Sequence, residues 1–195
     1  YVEHLRKDFL DIPWDEEGNG VGYPVDFIAT VDENLVAHDA QTRFTWLNDV
    51  KDELWKRDLI PECIKKGIPH DPKTCNGPHY GGTSHAGLVN EKTLKTLKDI
   101  GFTYLDYGLE HWDNKILRNL GKGATATANE RAVKITLEAG ISPIPNQIIM
   151  FPDETWDSLN TMLDAWEKTN IVTIPFICTP YPGAEWYIKY KDYIL

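Results

Sequence analysis

Residues Tyr104 to Gly123, YLDYGLEHWDNKILRNLGKG, constrain the fold more than any other stretch of this chain. The apolar-rich run Tyr104–Leu109 predicts a strand, and Glu110 stands where a buried strand should end. His111 and Trp112 follow. Asp113 then predicts an N-cap for a helix over Lys115–Leu120, and Gly121-Lys-Gly123 predicts its stop. A carboxylate at the C-terminal end of a strand, just before a helix, is where βα architectures place binding groups.

The flanking sequence repeats this strand–loop–helix plan. Val2–Leu10 has helical spacing, broken by Asp11–Gly20, and Val25–Val31 reads as a strand ending in the polar cluster Asp32-Glu33-Asn34. Phe44–Leu59 predicts an amphipathic helix with Phe44, Leu47, Val50, Leu54 and Trp55 on one face. Pro61–Pro78 carries four prolines and predicts a long loop. His79–His85 is a glycine-broken strand candidate, and Asn90–Ile100 a capped helix stopped by Gly101. Downstream, Thr127 or Asn129 could cap a helix that ends at Gly140. The short apolar run Gln147–Phe151 predicts a buried parallel strand, Trp156–Lys168 a helix and Ile171–Cys178 a last strand. Tyr187–Leu195 is an aromatic tail.

Alternating strands and helices indicate parallel βαβ units in one α/β domain spanning 1–195. About five strands are fewer than the eight of a closed barrel, and a doubly wound sheet stays possible. No GxGxxG follows a strand, and Gly121-Lys-Gly123 lacks Walker-loop spacing.

Composition narrows the partners. A net charge of −10 and a pI near 5.0 argue against a phosphate-tracking surface, and hence against nucleic acid as the main partner. No stretch has the length of a membrane span, and none resembles a signal peptide. Cys63, Cys75 and Cys178 are too few and too scattered for a disulfide framework, which points to a reducing, cytoplasmic setting.

Two constellations could carry chemistry. The polar groups at strand ends, Asp32, Glu33, His85, Glu110 and Thr179, with Gln147 inside a strand, would converge on one rim of a parallel barrel. Ionised carboxylates there suit hydroxyl or ammonium groups, because they only accept hydrogen bonds. A capping role for Asp32 and Asn34 competes with that reading. The second constellation is Cys63, His70, Cys75 and His79. Its spacing, Cys-x6-His-x4-Cys-x3-His, lacks a Cys-x2–4-Cys knuckle, so ordinary loop residues are expected, with Cys63 packed under a helix. No Gly-x-Ser-x-Gly elbow is present. Asp32, His79, His85 and Glu110 leave open a metal-dependent barrel hydrolase.

Taken in order, the motifs resemble the radical S-adenosylmethionine (SAM) superfamily, in particular the group whose relatives often carry an upstream cobalamin-binding domain. Gly108-Leu-Glu110, Ile116-Leu117 and Lys122-Gly123 match its strand end, helix and Lys-Gly pair. Ala139-Gly-Ile141 leads to a Pro-x-Glu-Thr turn, Pro152-Asp-Glu-Thr155, and Thr179-Pro-Tyr-Pro-Gly183 is similar to the end of the last core strand. Asp32-Glu33-Asn34-Leu35 resembles the end of the second strand. The similarity runs in one register from about Val25 to Gly183.

That resemblance implies SAM cleaved reductively at a 4Fe-4S cluster, giving a 5′-deoxyadenosyl radical for modification or methylation of a small-molecule substrate, with cobalamin possible through a separate domain. Glu110 would contact the ribose or amino-acid part of SAM. Asp32 and Glu33 would lie near its ammonium, Gln147 and Ile148 along the adenosine, and Tyr181 beside the adenine. Three departures stand out. The CxxxCxxC that holds the cluster is absent, so the resemblance implies a partial TIM-like barrel of parallel strands, truncated before that motif and missing at least the first strand. A degenerate, cluster-free binding domain is the alternative. Met150 replaces a usual glycine, and His85 a frequent arginine. A missing first strand would leave the edge of Val25–Val31 open and predicts poor solubility.

Overall fold

The computed structural model describes residues 27–30, 36–37, 45–121, 123–171, 173 and 175–193. Five parallel strands form one curled sheet in the order β1-β2-β3-β4-β5, an open half of a TIM-like barrel. They are β1 (Phe27–Thr30), β2 (His79–Ser84), β3 (Phe102–Glu110), β4 (Ser142–Ile149) and β5 (Phe176–Ile177). The helices are α1 (Trp46–Lys56), α2 (Glu62–Lys65), α3 (Glu91–Ile100), α4 (Asn114–Asn119), α5 (Ala126–Glu138), α6 (Trp156–Thr169) and α7 (Glu185–Tyr190). Strand order that follows chain order, with every pair parallel, is what consecutive βα units produce. Among these residues no helix is long and apolar enough to cross a membrane.

Period-two alternation along β3 gives the sheet its two faces. Leu105, Tyr107 and Leu109 are fully buried in the helix-side core, with Leu94, Leu97 and Ile100 of α3 and Ala132 and Val133 of α5. Each buried Leu, Ile or Val among them contributes about 1.5–3 kcal/mol. Tyr107 carries a hydroxyl into this layer. Thr136 Oγ1 donates to the Ala132 carbonyl, which leaves it to accept from the Tyr107 hydroxyl at 2.8 Å. Burial pushes the Tyr107 phenol pKa up. Tyr104, Asp106 and Gly108 alternate onto the concave face. In register beside them lie Gly81 and Thr83 of β2 and Ser142, Ile144 and Asn146 of β4.

Glycines at 81 and 82 make β2 possible rather than break it. A Cβ on Gly81 would lie 2.4 Å from the Tyr104 ring, and one on Gly82 2.1 Å from Thr30 Oγ1. Tyr104 in turn stacks on Phe27 of β1 at 5.3 Å.

Several expectations need correction. The strand expected at Gln147–Phe151 is β4, and it runs through Pro143 and Pro145. Prolines survive where a strand flank has no bonded neighbour, and β5 pairs only with Ile148 and Ile149. The cap of α5 is Thr125, whose hydroxyl accepts from the Ala128 N–H, in place of Thr127 or Asn129. The loop over 61–78 contains α2, and its cysteines are not independent. Cys63 and Cys75 form a disulfide, because the segment folds back so that the Glu62 N–H donates to the Asn76 carbonyl. Asp113 caps α4 as expected, accepting from the Lys115 and Ile116 N–H groups. The helix expected over 2–10 and the cluster Asp32-Glu33-Asn34 lie outside the described residues.

Candidate functional site

The C-terminal end of β3 is built around a conformation that L-residues avoid. Glu110 has φ = +61°. The His111 N–H donates to the Leu109 carbonyl at 2.7 Å, closing a γ-turn with Glu110 at its centre. Asn129 of α5, fully buried, donates through Nδ2 to both flanking carbonyls, Leu109 at 3.0 Å and His111 at 3.1 Å. One amide therefore clamps both sides of the turn. Residues held in sparsely populated backbone regions cluster where function needs them.

His111 carries the clamp across the rim. The Asp113 N–H donates to His111 Nδ1 at 2.8 Å, so the Nε2–H is free to donate to Glu154 Oε1 at 2.9 Å. The Glu154 side chain is 6% exposed. Its other oxygen accepts from the Met150 N–H, and Met150 has φ = +65°. The ends of β3 and β4 are thus tied through one carboxylate. The motif Pro152–Thr155 supplies that carboxylate from the turn whose Thr155 caps α6. Cys178 comes from the end of β5, its N–H donating to the Ile149 carbonyl. Burial and the Glu154 charge raise its thiol pKa.

The expected site residues separate into three groups. Glu110 sits at this rim, 8% exposed. Ile148 follows Asn146 in the alternation onto the concave face, and Tyr181 is 75% exposed in the loop after β5. Gln147 is turned the other way. It is fully buried, and its Oε1 accepts from Trp166 Nε1 of α6 at 2.7 Å, so its side chain braces the helix layer. Asp32 and Glu33 lie outside the described residues.

His79 stands at the start of β2 and Glu110 at the end of β3. Tyr80 pairs with Phe102, eight residues before Glu110, so about 25 Å of strand separates them. That separation removes the geometry of a hydrolase site using both. His85 is occupied locally, its Nδ1 accepting from the Gly87 N–H.

Three contributors lie outside the expected set of site residues. In the sequence Asn129 suggests only a helix cap, and Glu154 only part of a turn. Asp106 lies mid-strand on the concave face, beside Thr83 and Ile144. Burial raises its carboxyl pKa, and burial, with the Asp106 charge second, raises the phenol of Tyr104. Alternation along Tyr104–Gly108 was the signal available for Asp106. Nothing local marked Asn129, which acts across 18 to 20 residues.

A family model described as the Radical SAM superfamily matches residues 49–165. The chain is 34% identical over 107 residues to the uncharacterized methyltransferase PH0819 of Pyrococcus horikoshii, covering 54% of this chain and 23% of that relative. The fold is similar to that of the cobalamin-dependent S-adenosylmethionine radical enzyme OxsB, with a TM-score of 0.56 at 20% identity. That match covers 87% of this chain and 22% of the OxsB chain. It is also similar to the radical SAM methyltransferase TsrM from Kitasatospora setae, with a TM-score of 0.53 at 18% identity over 77% of this chain and 27% of that one. The chain thus spans about a quarter of the length of these relatives.

Proposed function

The chain belongs to the radical SAM superfamily, and from that premise we propose that its concave face and β3–β4 rim form the SAM-facing part of a radical enzyme that modifies or methylates a small molecule. The observation that carries this reading is Glu110, presented at a strand end by a γ-turn that Asn129 clamps. A carboxylate so held is preorganised to accept from ribose hydroxyls or an ammonium. Ile148 and Tyr181 would border the adenosine, with Asp32 and Glu33 placed toward the ammonium. Gln147 would contribute by bracing β4 through Trp166.

The iron–sulfur cluster does not fit the cysteines of this chain. Cys63 and Cys75 are bonded to each other, Cys178 stands alone, and no CxxxCxxC occurs. In this reading the cluster ligands belong to a part of the enzyme outside this stretch, as would any cobalamin domain. SAM and a reduced cluster would supply the radical chemistry, while these residues bind, orient and exclude water.

Equilibrium binding of SAM to a chain extended upstream, after anaerobic iron–sulfide reconstitution, tests the proposal. Glu110→Gln should weaken SAM binding about tenfold, the loss of a charge-assisted hydrogen bond. Unchanged affinity would remove Glu110 from the site. An extended chain that neither takes up iron nor binds SAM would favour a cluster-free domain.

A further inference from the structure

A second constellation lies at the opposite end of the sheet, where β2 begins. Cys63, Cys75 and His70 bring two sulfurs and a ring nitrogen within 4.8 Å of one another. The hydrogen bonds around them fix the protons. His79 Nε2 is 3.1 Å from the Cys75 carbonyl, which can only accept, so Nε2 carries the proton. His79 Nδ1 is then an acceptor, and His70 Nε2, 2.8 Å away, must donate to it. What remains is His70 Nδ1, a lone pair buried from solvent with no hydrogen-bond partner.

Buried polar atoms are almost always satisfied, so an orphaned imidazole nitrogen beside two sulfurs calls for a partner that accepts its lone pair. We infer that the 62–79 segment is a redox-gated soft-cation site, in which the reduced Cys63 and Cys75 thiolates and His70 Nδ1 hold a zinc-class divalent ion.

The chemistry of the donors supports that class. Two thiolates and an imidazole suit Zn2+, with a water completing the tetrahedron. His79 is a positioning residue. By accepting from His70 Nε2–H and donating to the Cys75 carbonyl, it sets the tautomer that leaves Nδ1 available, the arrangement typical around metal-bound histidines. A tetrahedral zinc site spaces its sulfurs by about 3.8 Å and sulfur from nitrogen by about 3.5 Å. Only small displacements are therefore needed once the disulfide opens. The loop would keep its shape meanwhile. The Glu62 N–H to Asn76 carbonyl bond closes it at 2.9 Å, and the Cys63 N–H already points at Cys75 Sγ from 3.1 Å. Backbone N–H donation to sulfur favours the thiolate.

The redox step balances simply. A dithiol reductant transfers two electrons to the Cys63–Cys75 bond and becomes a disulfide, leaving two thiols here. Zn2+ binding then displaces their two protons to solvent. The oxidised state holds the loop covalently, and the reduced state would hold it through the ion. Loop closure at the base of β2 would then persist across both redox conditions.

The test uses the full chain and Co2+ as the probe. After reduction with a dithiol and anaerobic desalting, the chain should bind one Co2+ with thiolate charge-transfer bands in the near ultraviolet and the visible bands of a tetrahedral ion. Zn2+ should bleach both. The oxidised chain, and the Cys63→Ser, Cys75→Ser double variant, should show neither. His79→Ala should weaken Co2+ binding about 10- to 100-fold with an unchanged spectrum, and His79→Gln, which retains an acceptor, should recover part of it.

A mutation-free arm guards against variants that misfold. Zn2+ should protect Cys63 and Cys75 of the reduced chain from alkylation while leaving Cys178 reactive. Absence of thiolate bands in the reduced chain, equal bands in the double variant, or alkylation of Cys63 and Cys75 unaffected by Zn2+ would each overturn the inference.

Discussion

Glu154 and His111 are joined at 2.9 Å, Oε1 to Nε2, across the rim that β3 and β4 share. This contact converts two loop ends into one rigid unit. Glu154 serves two donors at once, the imidazole with one oxygen and the Met150 N–H with the other. Glu154→Gln leaves one accepting oxygen for the two donors. The variant should lose about 1–3 kcal/mol of stability, the cost of an unsatisfied buried group, read from urea unfolding midpoints. An unchanged midpoint would mean that the tie does not hold the rim.

Asn129→Ala removes both bonds that clamp the Glu110 turn. The expected loss is about 2–3 kcal/mol, with a concurrent fall in SAM affinity if the turn presents Glu110. Asn129→Asp keeps the volume but cannot donate to the two carbonyls, so it should behave at neutral pH like the alanine variant. A benign Asp substitution would show that volume, not donation, is what the site needs.

Met150 occupies a left-handed position and is 64% exposed. Little packing is lost on removing it, while the backbone strain of an L-residue there is about 1–2 kcal/mol. Met150→Gly should therefore raise stability by about 1 kcal/mol, visible as a higher midpoint of thermal unfolding.

Gly81→Ala places a methyl against the Tyr104 ring at a separation no real contact tolerates. Overpacking of this kind costs about 1–3 kcal/mol. Combining it with Tyr104→Ala should recover part of that loss, and a double-mutant cycle measures the recovery. Purely additive losses would locate the clash elsewhere.

Asp106 gives a pH dependence of definite sign. Burial raises its pKa in the folded chain, so its ionised form opposes folding at every pH above that value. The penalty disappears once pH falls below the ordinary value of 3.8, where the group is protonated folded or unfolded. Asp106→Asn should therefore be more stable than the parent at pH 7, with the difference shrinking toward zero in acid. Paired denaturation curves across pH 3 to 7 measure it, and a gap independent of pH would assign the effect to packing.

Much of the architecture was legible in residue order. Periodicity marked β3 as a strand and α3 and α6 as helices, since apolar spacing is local and the burial it predicts is what these elements experience. Asp113 announced its own cap for the same reason. Glu110 at a strand end also followed from local order, because a parallel strand that enters a helix must deliver its last side chain to the rim. Other features depended on neighbours far along the chain. Pro143 and Pro145 argue against a strand until it is known that the adjacent flank carries no ladder. Gly81 and Gly82 argue against another until the Tyr104 ring and Thr30 are placed beside them.

The fold-back at 62–79 is the clearest division between the two. Composition identifies four residues able to ligate a metal, and their spacing argues against a site, because local patterns assume short knuckles. Closure of the loop, backbone to backbone at Glu62 and Asn76, brings the two sulfurs together and leaves one imidazole nitrogen without a partner. Asn129 and Glu154 make the same point at the opposite rim. The type of each element is set by short-range pattern, and so was available from the residues in order. Which side chains meet is set by chain closure over tens of residues, and Gln147 facing Trp166 while Glu110 faces the rim follows from that closure.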